Sequence, residues 1–217
     1  MRVILVRHGQ TEWNSKGIFR GVIDVELNDN GERQARLTGE KLGQLSIDAV
    51  YSSPLSRASK TARIIASFHD QKVRIIERLT DMNFGVWQGL TREQVKERYG
   101  EIFQTWEKRP HRVVIPEAET LSGVRKRVSL GLKSILNDHG GSTVVIVSHG
   151  LIIKVLLCIV LGMDNSHFWK LRQDNSAVNI FEYSKEGTKL FFMNDTTHLQ
   201  SVDEIIESMK DLEDPLG

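Results

Sequence analysis

The chain has 217 residues, with 29 Lys and Arg against 28 Asp and Glu, which gives a formal net charge of +1. Hydrophobic residues make up 40% and charged residues 26%, the proportions of an ordinary globular protein. We expect a single domain over residues 1–217. Because the charges balance, we expect neither nucleic acid nor a membrane as a partner, and any attraction for anions must come from a few clustered cations.

Cys158 is the one cysteine of the chain, which excludes an intrachain disulfide and a zinc cluster built on thiolates. It lies in the apolar stretch 151–163, which is too short to span a bilayer and contains Lys154. The apolar run 1–6 is too short for a signal peptide and has no small-residue cleavage site after it. A cytoplasmic protein is therefore expected.

The first part of the sequence alternates short β-branched runs with amphipathic stretches. The predicted strands are residues 3–6, 49–51 and 73–76, and the predicted helices are residues 31–45 and about 53–68. Asn28 or Asp29 would cap the first helix, and Pro54 suits the first turn of the second. This alternation implies parallel strands with crossover connections. We predict an α/β fold, a three-layer α/β/α sandwich around a mostly parallel sheet.

The alternation breaks down over residues 79–118, which we interpret as an inserted, lid-like segment. Within it, Thr91 and Gln94 form a capping-box pattern that predicts a short helix towards Tyr99. The regular pattern then resumes with a helix over about 119–136, a strand over 143–147, a buried helix from about 150 and a hairpin of residues 178–183 and 190–193. The tail from Ser201 is acidic and weakly helical.

Two histidines occupy the same local setting, each at the end of a buried strand and followed by glycine. The first is His8, in LVRHG, and the second is His149, in VSHG. Ligands of open α/β sheets collect at the carboxyl ends of the strands, so both histidines should lie at one edge. Arg7 and Arg57, which also follow strands, should join them. Two imidazoles and two guanidinium groups predict a phosphate site.

Residues 7–14, RHGQTEWN, are similar to the signature of the histidine phosphatase, or phosphoglycerate mutase-like, superfamily. Further blocks of that pattern follow in the same order, namely 51–57 (YSSPLSR), 84–89 (FGVWQG) and 148–150 (SHG). The blocks cover nearly the whole chain to about residue 199. On this resemblance the chain is identified as a member of the superfamily.

The resemblance implies a role for each residue of the phosphate site. His8 would be the nucleophile and form a phosphohistidine, and His149 would donate to the phosphoryl oxygens. Arg7 and Arg57 would neutralise those oxygens in the transition state. The implied substrate-binding residues are Asn14, Arg20, Gly21 and Gly150; for Arg20, a solvated surface arginine is the alternative.

The resemblance assigns protonation of the leaving group to Asp81, which stands where the family usually has Glu. The Asp side chain is shorter by about 1.5 Å, one C–C bond. Either the loop lies closer to the site, or a water bridges the gap, or the step is slower. Gln88 and Ala118 are two further departures, because Glu and Gly are commoner at these positions.

No metal is expected, because no cluster of carboxylates and histidines with metal-ligand spacing occurs in the sequence. A neutral imidazole is a competent nucleophile at pH 7, and fixed arginines can supply the charge that Mg²⁺ supplies elsewhere. We therefore predict hydrolysis of a small phosphomonoester through His8, without a cofactor and in the presence of EDTA.

Two other functions stay open. A cofactor-dependent phosphoglycerate mutase shares the core chemistry but carries a longer insertion, whereas here Gly85 and Glu119 are 34 positions apart. The second is a catalytically silent relative that binds phosphorylated ligands or another protein. Within the phosphatases the substrate stays open, because Phe84 replaces a histidine that phosphoserine phosphatases use to meet the substrate carboxylate. The resemblance also implies a homodimer formed through the sheet edge or the C-terminal strands.

Overall fold

The computed structural model describes residues 1–200; the predicted acidic tail from Ser201 lies outside the described residues. Its strands are β1 (Arg2–Arg7), β2 (Ala49–Ser52), β3 (Val73–Ile75), β4 (Thr143–Ser148), β5 (Val178–Ser184) and β6 (Gly187–Asp195). They form one sheet in the order β3-β2-β4-β1-β5-β6. The first four strands of this order are parallel, while β5 and β6 are antiparallel to their neighbours. The predicted α/β fold with a mostly parallel sheet is confirmed.

The described α-helices are α1 (Glu12–Ser15), α2 (Asp29–Leu42), α3 (Ser56–Ala66), α4 (Arg92–Arg98), α5 (Gly100–Lys108), α6 (Leu121–Asp138) and α7 (Gly150–Val160). Successive residues of β1 face opposite sides of the sheet. Leu5 packs in the apolar cluster that includes residues of α6 and α7, whereas Val6 packs in the cluster that includes α2 and α3. The sheet is therefore the middle of three layers. None of the described helices is long and apolar enough to cross a membrane.

The starts of the helices match the predicted caps in two cases and differ in one. The Asn28 side chain accepts from the backbone of Gly31 and caps α2, and Thr91 forms the expected capping box at α4. The expected place of Pro54 was wrong, because α3 begins only at Ser56. Both the backbone N–H and the hydroxyl of Ser56 donate to the carboxylate of Asp24, so a distant acidic side chain fixes where α3 begins.

The segment 79–118 is built into the core. Besides α4 and α5 it contains short 3₁₀ turns at Gly85–Trp87 and Pro110–Arg112. The side chains of Trp87, Phe103 and Trp106 are buried in the same apolar cluster as α6 and α7. The segment therefore covers one end of the sheet with aromatic side chains, and its role as a lid stays a prediction.

The loop after β1 crosses the first turn of α2 at very close range. A Cβ atom on Gly31 would lie 2.0 Å from the carbonyl oxygen of Gln10, and one on Gly9 would lie 2.3 Å from the carbonyl oxygen of Gly31. Only glycine allows this approach of two backbones. The contact fixes the residues that follow β1 directly against α2.

We expect Gly31→Ala to lower the free energy of unfolding by about 1–3 kcal/mol, because the added methyl group forces two backbone segments apart. Gly123→Ala is the matched control, since Gly123 also lies in the first turn of its helix, α6, and its backbone N–H donates the N-cap bond to the hydroxyl of Thr120. A Cβ there meets only the Thr120 hydroxyl, at 3.5 Å. The control variant should have the same free energy of unfolding as wild type, or one that is higher by up to about 1 kcal/mol. Urea denaturation measures both, and equal effects would contradict the close approach.

Candidate active site

The two predicted histidines lie side by side at the carboxyl ends of neighbouring strands. β1 and β4 are parallel partners with Arg7 opposite Ser148, so the residues that follow them, His8 and His149, emerge together. Their ring centroids are 5.2 Å apart with an interplanar angle of 61°. His149 also stands immediately before the first turn of α7. The sheet alone therefore brings both imidazoles to one place.

The hydrogen bonds of His8 define its tautomer. Its Nδ1 lies 2.6 Å from the carbonyl oxygen of Gly9, which can only accept, so Nδ1 carries the proton. Nε2 is buried and has no hydrogen-bond partner among the described residues. Burial, together with His149 and the arginines around it, lowers the pKa of His8 well below its ordinary value. His8 is thus a neutral imidazole at pH 7 with a free lone pair on Nε2.

Each ring nitrogen of His149 has a polar side chain near it. Its Nε2 lies 2.8 Å from the hydroxyl of Ser53, and its Nδ1 lies 3.6 Å from Oδ2 of Asp81. Burial and then the charge of Arg57 lower the pKa of His149 well below its ordinary value. A neutral His149 whose Nε2 accepts from Ser53 presents an N–H donor on the side of Asp81.

Arg57 is fully buried and fixed at both ends of its guanidinium group. One terminal nitrogen donates to the carbonyl of Ile23 at 2.9 Å. The other donates to the carbonyl of Gly21 at 2.8 Å and to Oδ2 of Asp81 at 3.3 Å. The guanidinium group is therefore positioned before any ligand binds, and Asp81 is its only anionic partner among the described residues.

The guanidinium group of Arg7 lies directly against Gly150. Arg7 donates to the carbonyl of Gln173 at 2.6 Å, while its Nε is buried without a hydrogen-bond partner among the described residues. A Cβ on Gly150 would lie 3.1 Å from that Nε. Glycine at the first position of α7 therefore leaves room for the guanidinium group beside the free N–H groups of the helix.

Asp81 is held in place by an arginine that the sequence analysis did not single out. Arg127 pairs with both carboxylate oxygens of Glu119, at 2.8 and 2.9 Å. It also donates to three backbone carbonyls of the Asp81 loop, those of Arg78, Thr80 and Asp81. This clamp draws the loop against α6. The Asp81 carboxyl group, short as it is, therefore reaches the buried site directly.

A second residue without an assigned role, Asn175, holds the loop after β1. Its side-chain N–H groups lie 3.2 Å from the carbonyl oxygens of both His8 and Gly9, and 3.3 Å from Oδ1 of Asn14. That Oδ1 also accepts from the backbone of Thr11 at 3.0 Å, as part of the capping box of α1. Asn14 thus has a structural use in this loop, and its predicted substrate contact stays a prediction.

Arg20 and Gly21 lie in the wall of a cavity of about 550 Å³ that opens above the site. Burial lowers the pKa of Arg20 to about 10, so it is charged at pH 7. Gly21 has φ of 54° and a Cβ there would lie 2.0 Å from Oε1 of Gln88, so both the backbone and the space require glycine. Other residues that line the cavity are Arg7, Asp81, Phe84, Trp106, Gly150, Leu151, Lys154, Phe168, Trp169 and Gln173.

Together these groups define a site for phosphoryl transfer. Arg7, Arg20 and Arg57 supply positive charge, and the two histidines supply a free lone pair and an N–H donor. His8 and Arg57 have no exposed surface, and Asp81, which pairs with Arg57, lines the cavity. In such a water-poor setting, fixed guanidinium groups bind a phosphoryl dianion more strongly than they would at the surface.

Comparison with known proteins also indicates an enzyme that transfers phosphoryl groups. The sequence model of the histidine phosphatase superfamily, branch 1, matches residues 3–196. Phosphoserine phosphatase 1 of Hydrogenobacter thermophilus is 35% identical over 199 residues, which are 92% of this chain and 94% of that protein.

Solved structures are similar over the same extent. YhfR of Bacillus stearothermophilus has a TM-score of 0.88 at 27% identity, covering 92% of this chain and 99% of its own. The alpha-ribazole phosphatase of Shigella flexneri has a TM-score of 0.82 at 26% identity, covering 90% and 96%. The chain therefore belongs to the histidine phosphatase superfamily, and it is a phosphoric monoester hydrolase.

We expect Arg127→Lys to lower kcat by about 10- to 100-fold, because a single ammonium group cannot hold Glu119 and three carbonyls at once and Asp81 moves. Arg125→Lys is the matched control on the same helix, since within residues 1–200 the Arg125 side chain donates only to Asn165, at 3.2 Å. It should stay within about twofold of wild type. Steady-state kinetics with one phosphomonoester measures both, and an unchanged kcat in Arg127→Lys would show that the clamp is not needed.

Proposed function

We propose that the protein hydrolyses a small phosphorylated metabolite in the cytoplasm, without a metal ion, through a phosphohistidine on His8. The observation that carries the proposal is the state of this residue, a buried neutral imidazole with an unpaired Nε2. Arg7, Arg57 and His149 surround it with groups that bind phosphoryl oxygens.

Binding of the substrate would begin with an exchange of partners at Arg57. Before binding, the Asp81 carboxylate occupies the position beside Arg57 and His149 that we propose for the substrate's phosphoryl group. A phosphoryl dianion competes for the same guanidinium group and carries more charge. The displaced Asp81 carboxylate then takes up a proton from solvent, and in that form it can act as the acid beside the ester oxygen.

The reaction then proceeds in two transfers. Nε2 of His8 forms a bond to phosphorus while the bond from phosphorus to the ester oxygen breaks, and Asp81 gives its proton to that oxygen. In the second transfer a water molecule attacks the phosphohistidine and gives a proton to the Asp81 carboxylate. The bond from Nε2 to phosphorus breaks and inorganic phosphate leaves. Asp81 then releases its proton to solvent as its carboxylate pairs with Arg57 again, so that His8 and Asp81 are back in their starting states.

Hydrolysis is the better supported of the functions considered. Two of the three similar proteins reported above are named phosphatases, so a mutase is not better supported. The presence of Arg7, His8, Arg57 and His149 in one cluster supports turnover over a silent binding protein. Because the two named activities concern phosphoserine and alpha-ribazole, they do not agree on one substrate, and the substrate must be argued from the cavity.

A homodimer is a further part of this proposal. β6 is an edge strand of the sheet, and it presents Phe191 and Phe192, which are 54% and 55% exposed, to the surroundings. Within residues 1–200 no further strand pairs with this edge, and such an edge with large apolar side chains favours association with another strand. A second copy of the chain, joined through this edge, would cover it.

We expect sedimentation velocity at micromolar concentration to give the mass of two chains. Phe191→Ser with Phe192→Ser should shift the protein towards one chain, because it removes apolar area from the edge strand. A wild-type monomer over this concentration range would contradict the dimer without affecting the proposed chemistry.

We expect the wild-type protein to release phosphate from small phosphomonoesters in the presence of EDTA, and His8→Ala to lose at least about a thousandfold of that rate. His111→Ala is the control, because His111 is an exposed histidine outside the cluster. Released phosphate measured at pH 7 gives both rates. Activity that disappears in EDTA, or that survives in His8→Ala, would contradict the proposal.

The same phosphate-release assay tests whether Asp81 protonates the leaving group. Asp81→Asn should lower kcat by about 100-fold or more on an alkyl phosphate, whose leaving group needs a proton. The loss should be much smaller on an aryl phosphate, whose leaving group departs without one. Equal losses on the two esters would show that Asp81 does not act as the acid.

A further inference from the structure

Lys154 lies on the same face of α7 as Gly150, one turn further along the helix. Gly150 contacts Arg7 at the phosphoryl site, and four residues of α-helix advance by about 6 Å. Both residues line the same cavity. The lysine is therefore placed about one helical turn away from the position of the phosphoryl group, along the cavity wall.

The surroundings of Lys154 hold its ammonium group in place without neutralising it. Nζ lies 4.5 Å from the centre of the Trp169 ring and 5.0 Å from that of Phe168. Within residues 1–200 no carboxylate forms an ion pair with it. Burial lowers the pKa of Lys154 to about 8, so most of it is protonated at pH 7. Two aromatic faces thus hold a partly buried cation that forms no ion pair within residues 1–200, although the charge of Asp174 acts on it.

The positive charge of Lys154 is additional to the three arginine charges that surround the phosphoryl site. Arg7, Arg20 and Arg57 all act on the pKa of both catalytic histidines, which places these three around the reacting centre. The charge of Arg7 acts on the pKa of Lys154, and Lys154 is not among the charges that shift His8 or His149. One helical turn from Gly150 along the cavity wall, the lysine lies outside the phosphoryl subsite and is available to another group of the substrate.

Apolar side chains contribute to the cavity wall, beside polar ones such as Arg92 and Gln173. Leu151 lies between Gly150 and Lys154 in the sequence of α7 and lines the cavity, and Phe84 and Trp106 line it as well. Such a wall suits a short carbon skeleton. A cation at the far end of it suits a compact anionic group, and a carboxylate is the smallest that a phosphorylated metabolite commonly carries.

We propose that Lys154 binds a carboxylate of the substrate, which makes the substrate class a short-chain phosphorylated carboxylic acid. This inference rests on the proposed function and specifies its substrate. Phe84 has no polar atom with which to meet a carboxylate, and Lys154 supplies the missing cation from α7. Lys154 thereby distinguishes such acids from phosphomonoesters that carry only hydroxyl groups.

The test compares 3-phosphoglycerate with glycerol 3-phosphate, two esters that differ in having a carboxylate or a hydroxymethyl group. At pH 7 wild type should show at least about tenfold higher kcat/KM for 3-phosphoglycerate. Lys154→Met keeps an unbranched side chain against the two aromatic rings but removes the charge. It should lose about 10- to 100-fold in kcat/KM on 3-phosphoglycerate, mainly through KM, and stay within about threefold on glycerol 3-phosphate. Lys154→Arg should recover part of the loss.

Equal losses of Lys154→Met on the two esters would overturn the proposal and show that the lysine only supports the fold. A wild type with equal kcat/KM for both esters would overturn it too. If wild type hydrolyses neither ester, the proposed function fails separately. Calorimetric binding of 3-phosphoglycerate to His8→Ala, with and without Lys154→Met, then decides the inference: about tenfold weaker binding in the double variant supports it, and equal binding overturns it.

Discussion

Positive charge concentrated in a space closed to water is the constraint on which the rest of the site depends. Arg7, Arg20 and Arg57 converge on two histidines that have almost no exposed surface. The carboxylate of Asp81 lies against Arg57 and His149, and the charge of Asp174 acts on Arg7. A protonated imidazole there would lose its hydration and stand among like charges. Both histidines are therefore neutral at pH 7. The cluster carries an excess of positive charge that an incoming phosphoryl dianion can balance.

The same constraint explains why so much of the surrounding structure serves to hold charged groups still. The guanidinium group of Arg57 is fixed by backbone carbonyls, that of Arg7 by the carbonyl of Gln173, and the Asp81 loop by Arg127. Groups that are already oriented need no reorganisation when charge moves in the transition state. The site therefore needs close approaches. At Gly31 a Cβ would lie 2.0 Å from a backbone oxygen, and at Gly150 a Cβ would lie 3.1 Å from Nε of Arg7.

What could be predicted from the sequence was mostly local. His8 and His149 each stand at the end of a buried strand, and parallel neighbouring strands bring such positions together without further information. The start of α3 was wrong because its cap, Asp24, comes from another loop. Arg127 and Asn175 were not found for the same reason, since their bonds to the backbone of Asp81 and His8 span 46 and 167 residues. Lys154 was noted only as a charge within an apolar helix, because its aromatic partners are brought to it by the fold.

The central claim is that a phosphoryl group passes through Nε2 of His8, and trapping that intermediate tests it most directly. Wild type is mixed with a phosphomonoester in EDTA, quenched within the first turnovers under alkaline conditions that preserve phosphohistidine, and digested for mass spectrometry. The account predicts a phosphorylated peptide containing His8, with the phosphoryl group on Nε2, which disappears when turnover is complete and is absent from His8→Ala. Phosphate release with no phosphorylated peptide, or with the phosphoryl group on another residue, would contradict it.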